Sequence, residues 1–281
     1  MKFRPAVETD LQQEYEVFRA AIEDLYGRHS FTPPPPVPEG FLGQQGHVLR
    51  SDPERCFVAE EGGRVVAFAS AWVRGDAWFF SALFVLPAFQ ARGLGRELLE
   101  RVWGDGHPRR LTMTDAIQPV SNGLYAARGL IPATPIFSLG GEPRAVAPAG
   151  IEAASPEPGD LARLDAGAYG FDRRVDHAYW QRGATATVWR REGQALAYSY
   201  SWPHGRIGPV AGVDGRAAAM ALEAELARRL EPTGILVPGS ARELFASALR
   251  AGLRIAGPPG LLLLSNGEPP RALALSGYAL M

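Results

Sequence analysis

Residues 87–96, Pro-Ala-Phe-Gln-Ala-Arg-Gly-Leu-Gly-Arg, carry the spacing in this chain best suited to chemistry. Gly93 and Gly95 let the main chain turn so that several N–H groups face one point, and such a concavity suits an anion. A helix starting there adds its own unpaired N–H groups and the positive end of its dipole, which favours a phosphate or pyrophosphate. Arg92 and Arg96 can add charge-assisted contacts. The same glycines also fit a strand-to-helix connection that needs them only to turn, so both readings stand on this segment alone. Two other phosphate motifs are excluded. A dinucleotide fingerprint needs a small residue three positions after the second glycine, where Leu98 stands, and a Walker loop needs a lysine, of which the chain has only Lys2.

The loop lies between two strongly patterned segments. Residues 77–86, AWFFSALFVL, form an unbroken apolar run ended by Pro87, which predicts a strand covered on both faces. From Gly93 onward, Leu94, Leu98, Leu99 and Val102 fall on one side and Arg96, Glu97, Glu100 and Arg101 on the other, the pattern of an amphipathic helix. Upstream, Leu11, Tyr15, Phe18, Ile22 and Leu25 predict a helix over residues 10–26. Residues 56–61 and 64–73 read as strands around Gly62 and Gly63. Downstream come a short strand near 111–114, a helix over about 120–128 and a last strand near 134–139. Alternation divides Trp72, Trp78, Phe79 and Phe80 between the two sheet faces, as core or as the wall of an apolar pocket.

With 281 residues, 46% hydrophobic content and a net charge of −1, the chain can build one large domain or two ordinary ones. No run of like charges points to a nucleic-acid or anionic-membrane partner, so neither is expected. No stretch approaches the length of a membrane span and the first residues lack a secretory apolar core, so a cytoplasmic location is expected. Cys56 is the only cysteine, and His29, His47, His107, His177 and His204 show no ligand spacing, which predicts neither a disulfide nor a metal site. Cys56, in an apolar run, reads as a small buried thiol. Residues 141–150, rich in Gly, Pro and Ala, read as a linker between domains 1–140 and 151–281. Gly63 and Gly193, Ala67 and Ala197, Trp72 and Trp202, and Gly75 and Gly205 each lie 130 positions apart, which argues for a duplicated unit.

The buried strand, its stop at Pro87 and the glycine loop opening a helix together resemble the GNAT superfamily of N-acetyltransferases. Its motif V-x-P-x-x-[QR]-x-x-G-x-[GA] is met in full by Val85, Pro87, Gln90, Gly93 and Gly95. The resemblance implies an α/β (α+β) fold of two tandem GNAT-like domains, each a mixed, largely antiparallel sheet flanked by helices. It implies acetyl-CoA as cosubstrate, its pyrophosphate held by Gln90, Ala91, Arg92, Gly93, Leu94, Gly95 and Arg96, and its pantetheine and acetyl carbonyl bonded along Leu83, Phe84 and Val85. A second family element, a helical Tyr followed by x-x-x-G and an apolar residue, is matched by Tyr125, Gly129 and Leu130. The implied role of Tyr125 is to protonate the departing thiolate, since a positioned acid of this kind speeds reactions by about 10²–10⁴; the plain alternative is a core aromatic. Asn122, on the same helical face, could bond the cofactor or an ordered water.

The chain departs from the family in two respects. Many members carry a Glu on the central strand as base, whereas residues 77–86 hold no acid; substitutes are Glu60, Glu61, Asp76, Asp115 or the carboxylate of Met281. In the second half, residues 206–213 lead to a helix without Q-x-x-G-x-G, only Gly212 and Gly215 remaining, and Ala248 precedes Gly252 where Tyr125 precedes Gly129. The C-terminal domain is therefore expected to be degenerate, serving packing and substrate enclosure. Pro33, Pro34, Pro35 and Pro36 read as a rigid lip over the acceptor pocket or as a polyproline ligand. The resulting expectation is transfer of an acetyl group to an amine of a small molecule or peptide, by a monomer or homodimer without a metal. Rival readings are a non-catalytic acyl-CoA sensor and a transferase of longer acyl groups.

Overall fold

A computed structural model describes residues 1–35 and 37–281, so Pro36, last of the four prolines read as a pocket lip, lies outside the described residues. The chain divides into two compact units, residues 1–112 with 117–130 and residues 113–116 with 131–281. The first runs β1 (Lys2–Pro5), α1 (Leu11–Arg28), α2 (Pro38–Ser51), β2 (Cys56–Glu61), β3 (Arg64–Arg74), β4 (Ala77–Val85), α3 (Leu94–Val102), the start of β5 (Arg109–Asp115) and α4 (Pro119–Ala126). Its strands lie in the order β1-β2-β3-β4-β5, antiparallel except for the parallel pair β4–β5. The apolar run of β4 is covered on both faces. Phe84 packs with Phe18 of α1 and with Phe68, which meets Phe41 of α2, at ring separations of 5.0, 5.5 and 6.0 Å. On the opposite face Trp78 donates its indole N–H to the carbonyl of Val102, the last residue of α3, at 3.1 Å.

Ser81 decides how β4 is shared between these faces. The register pairs Ser70 with Ala82 and Ala71 with Phe80, leaving Ser81 as an extra residue, a β-bulge that shifts the alternation and bends the strand. Trp72 consequently stacks on Phe79 at 4.7 Å and Trp78 on Phe80 at 5.6 Å, one pair on each face. All four rings are closed off from solvent, so they are core rather than pocket wall.

The second unit runs β6 (Ile131–Gly141), β7 (Glu152–Ala154), α5 (Pro158–Ala168), α6 (Arg174–Trp180), β8 (Thr185–Arg191), β9 (Gln194–Ser201), β10 (Arg206–Gly212), α7 (Gly215–Leu226), β11 (Thr233–Pro238), α8 (Arg242–Arg250), β12 (Arg254–Ile255), β13 (Gly260–Leu264) and β14 (Leu273–Ala274). The duplicated glycines mark equivalent hairpin turns. Gly63 and Gly193 have φ of 79°, and Gly75 and Gly205 have φ of 58° and 87°, values only glycine adopts freely. Inside the unit Asp165 accepts from Tyr198 Oη at 2.8 Å and bonds His177 Nε2 at 2.9 Å, while His177 Nδ1 meets Tyr200 Oη at 2.7 Å, tying α5, α6 and β9 together.

The division differs from the one expected at residues 141–150. The strand expected to end the first domain, β6, pairs along Ile136–Gly141 with β11 and along Ile131–Ile136 with β13, both in the second unit. A shift in the β13 register at Leu262/Leu263 accommodates Pro132 and Pro135, which have no N–H for the ladder. Residues 142–150 then cross the surface of that same unit, held by Arg144 N–H on the Ala251 carbonyl at 2.7 Å.

A buried acid beneath α1 went unnoticed in the sequence because it occupies an inward position of the amphipathic pattern. Glu14 is 1% exposed. Its Oε2 accepts from Gln45 Nε2 at 2.8 Å, and Gln45 Oε1 accepts from Ser70 Oγ at 3.1 Å; Oε1 of Glu14 has no partner among the described residues. Burial pushes the Glu14 carboxyl up to about 7 from an ordinary 4.5, with Gln45 acting the other way. Folding therefore takes up a proton between pH 4.5 and 7, and the stability held below that window declines as pH rises through it. Glu14→Gln keeps the shape and removes the ionisation. Thermal melts of both proteins should diverge in favour of Glu14→Gln by up to about 3 kcal/mol between pH 5 and pH 8; parallel melting temperatures across that range would contradict the assignment.

Candidate functional site

β4 and β5 pair only from Ala77/Arg109 to Phe80/Thr112, where Thr112 Oγ1 donates to the Phe80 carbonyl at 2.9 Å. Beyond the bulge, no strand among the described residues of the first unit covers that edge of β4. The N–H of Leu86 donates to Val66 O at 2.9 Å, which fixes the phase of the ladder. Phe84 directs its main-chain groups to β3, and Leu83 and Val85 direct theirs to the uncovered edge. The three residues expected along the cofactor thus separate: Leu83 and Val85 offer polar groups, and Phe84 offers its ring to the α1 face. On the edge, the Val85 carbonyl accepts from Gln90 Nε2 at 3.1 Å, so the Gln90 side chain braces the loop against the strand.

The loop itself is a short 3₁₀ turn over Pro87–Phe89, then Ala91 with φ 60° and Gly93 with φ 82°, then α3. The first helical bond runs from Glu97 N–H to Gly93 O at 3.1 Å. The six N–H groups of Ala91, Arg92, Gly93, Leu94, Gly95 and Arg96 find no acceptor among the described residues. Their arrangement around the N-terminus of α3, continuing into the loop before it, is that of an anion cradle. Arg92 folds back to Ala88 O at 2.9 Å and over the Phe89 ring at 5.0 Å, whereas Arg96 extends into solvent. A Cβ on Gly95 would lie 3.6 Å from Leu83 Cδ2, an ordinary contact, while Gly93 has open space but a left-handed backbone.

Tyr125 is 4% exposed, its ring edge-on to Phe80 at 5.5 Å. Burial drives its ionisation above the ordinary tyrosine range, opposed by a hydrogen bond with Ser121 one turn earlier, so the phenol keeps its proton at working pH. The residues that follow it are a helix cap. Leu130 N–H donates to Tyr125 O at 3.1 Å and Gly129 has φ 78°, a Schellman arrangement that accounts for the Gly and the apolar residue of the motif without reference to function. Asn122 sits on the same helix, its N–H bonded to Gln118 O at 3.1 Å. Among the acids considered as base, Glu60 is paired with Arg4 at 2.9 Å and Glu61 is exposed. Asp76 lies in the turn before β4, about 23 Å along the strand from Leu83. Asp115 and Met281 belong to the second unit, where the Met281 carbonyl accepts from Ser276 Oγ at 3.1 Å.

Residues 15–129 match the family model described as the acetyltransferase (GNAT) family. No curated protein sequence matches the chain. Among solved structures, a Pyrococcus horikoshii protein assigned to the acetyltransferases is similar over 100% of this chain and 95% of its own, with 18% identity and a TM-score of 0.79. A GCN5-related N-acetyltransferase from Sphaerobacter thermophilus matches over 96% and 97% with 18% identity and a TM-score of 0.63. A tandem GNAT protein from the clavulanic acid biosynthesis pathway matches over 95% and 99% with 15% identity and a TM-score of 0.62. The chain has the tandem GNAT fold.

In the second GNAT-like unit the equivalent strand edge is covered by that unit's own chain. Val210, Ala211 and Gly212 stand opposite Ser199, Tyr198 and Ala197, as Leu83, Phe84 and Val85 stand opposite Ala69, Phe68 and Ala67. Against them lies β14, Ala274 on Val210 and Leu273 on Ala211, with a further bridge between Leu236 and Leu275. The connection to α7 is two residues, 213–214, instead of eight, 86–93. Asp214 Oδ1 accepts the Ala217 N–H at 2.7 Å, placing a carboxylate where an anion would have to sit. The helix cap at Gly252 and Leu253 is kept, with Leu253 N–H on Ala248 O at 3.1 Å, but no phenol precedes it. Among the described residues, no helix is long and apolar enough to cross a membrane, and no three His, Cys, Asp or Glu side chains group to hold a metal.

These contacts rank the two glycines of the loop. Gly93→Val forces a branched residue into the left-handed region, at about 1–2 kcal/mol, and redirects the N–H groups on either side. It should weaken acetyl-CoA binding at least tenfold by calorimetry, whereas Gly95→Ala should change it less than threefold. Equal losses in the two variants would contradict the cradle geometry.

Proposed function

We propose that the chain is an N-acetyltransferase that moves the acetyl group of acetyl-CoA to a primary amine of a small molecule or peptide. The observation that carries this reading is the run of six unclaimed N–H groups from Ala91 to Arg96 beside the uncovered edge of β4. The run suits the oxygens of a pyrophosphate, and the edge suits the amide groups of an extended pantetheine arm, which can add to β4 as a strand would. GNAT enzymes share acyl transfer from acyl-CoA to amines. The single cradle among the described residues favours one acetyl-CoA, bound in the first unit.

In this reading the neutral amine attacks the thioester carbonyl carbon directly. A main-chain N–H of the β4 edge polarises the carbonyl oxygen. The carbon–sulfur bond then breaks, the thiolate takes the Tyr125 proton, and the proton from the amine passes to solvent. Tyr125 suits this role because burial keeps its phenol protonated, while Phe80 and Ser121 hold ring and hydroxyl in place. An acid held above the ordinary tyrosine range does not lose its proton as pH rises from 8 to 10, so activity should climb with the neutral fraction of the amine through that interval without a falling limb.

Free-thiol release from acetyl-CoA, measured across small amines, amino acids, polyamines and peptides, tests the proposal. One amine or more should release thiol, and Tyr125→Phe should lower kcat by about 10²–10⁴ with little change in KM for acetyl-CoA. An unchanged kcat removes Tyr125 as the acid. Tight binding of one acetyl-CoA per chain without thiol release from any amine would instead identify a sensor.

A further inference from the structure

The chain has two asparagines, Asn122 and Asn266, and both stand in the same tripeptide, Ser-Asn-Gly. In that tripeptide the main-chain nitrogen of the glycine can attack the side-chain carbonyl carbon of the asparagine, because the glycine has no Cβ to hinder its approach or restrict its backbone. The five-membered ring closes only when the chain rotates about the asparagine Cα–C bond far enough to bring that nitrogen to the carbon. Local sequence treats the two sites alike, so a difference between them has to come from the fold.

Asn122 and Gly123 lie inside α4, whose regular dihedral angles hold that rotation fixed. The Asn122 N–H donates to the Gln118 carbonyl at 3.1 Å, and the Gly123 carbonyl accepts from the Ala127 N–H at 3.0 Å. Asn266 and Gly267 lie instead in the connection between β13 and β14, where residues 265–268 are exposed. The Gly267 N–H finds no acceptor among the described residues, its φ is 82°, and a Cβ placed there would meet nothing within 4 Å. The attacking nitrogen is therefore uncommitted and has room to swing. Both ends of the connection are held: Leu264 is buried in β13, and the Pro270 carbonyl accepts from Ser240 Oγ at 2.7 Å. A change within residues 265–269 can thus be absorbed in the connection without unfolding the strands on either side.

We propose that Asn266 is a site of spontaneous covalent modification in the folded protein, its amide converting to a carboxylate through a cyclic imide formed with Gly267. The Gly267 nitrogen bonds to the side-chain carbonyl carbon of Asn266, the bond from that carbon to Nδ2 breaks, and the Gly267 amide proton leaves with Nδ2 as ammonia. Water then adds to one of the two imide carbonyls and opens the ring, giving aspartate or, with one more methylene in the main chain, isoaspartate. One water enters and one ammonia leaves, with no change of oxidation state. The product adds one negative charge, next to Glu268, to a chain whose net charge is −1. The site belongs to the second unit and does not rest on the acetyltransferase reading.

The test holds the full folded chain at pH 8 and 37 °C and follows the peptides containing Asn122 and Asn266 by mass spectrometry, with the same chain unfolded in guanidinium chloride as the reference for each site. Folding should slow conversion at Asn122 by about tenfold or more, because reaction there must wait for α4 to open, and should slow conversion at Asn266 by less than about threefold. The acidic species that accumulates on anion exchange should be missing from Asn266→Gln. Conversion at Asn266 slowed on folding as much as at Asn122 overturns the proposal, and so does an acidic species that accumulates undiminished in Asn266→Gln. The peptide rates are read on the parent chain itself, so a poorly folded variant leaves the test intact.

Discussion

Every main-chain N–H and C=O that folding removes from water needs a partner, and a strand whose neighbour departs is left with a row of them. That condition arises in the first unit at Ser81. The bulge there bends β4 away from β5 just after Phe80, and the edge of Leu83 and Val85 is uncovered as a result. Gln90 answers part of the demand by bonding the Val85 carbonyl, and in doing so it holds the loop whose own N–H groups turn outward. The same condition arises in the second unit, where β10 is irregular between Ile207 and Val210, and there β14 fills the edge from within the chain. One backbone problem thus has two solutions, an open strand edge in the first unit and a covered one in the second.

Much of this was legible in the sequence because it is local. The apolar run of β4, its stop at Pro87, the glycines at 93 and 95 and the polar face of α3 lie within some two dozen residues, and each is a direct consequence of side-chain type. The glycines 130 positions apart were legible for the same reason, since a hairpin turn with positive φ admits few other residues. What escaped was non-local. Nothing in the pattern of β6 says which sheet it joins, and β14 is two residues long, too short to register as a period. The mixed roles of Leu83, Phe84 and Val85 also required the ladder phase, which depends on a partner strand rather than on sequence.

Buried polar groups were the other blind spot. Glu14 sits where residue type alone predicts a solvated charge, and only packing shows it enclosed with part of its hydrogen-bonding capacity unused. Tyr125 is the converse case. The glycine and leucine after it are explained by the helix cap, which recurs in the second unit without the phenol, so the tyrosine is the one residue of that motif left for chemistry.

The central claim is that the main-chain groups of residues 83–96 hold acetyl-CoA while their counterparts in the second unit are already satisfied. Amide hydrogen exchange with and without acetyl-CoA tests it most directly. The amides of Leu83, Val85 and residues 91–96 should exchange readily in the free protein and slow on adding the ligand, while those of Val210, Ala211 and Gly212 should not change. Unaltered exchange at residues 91–96 under saturating acetyl-CoA, or ligand-dependent protection at β10 and the start of α7 in their place, would contradict the account.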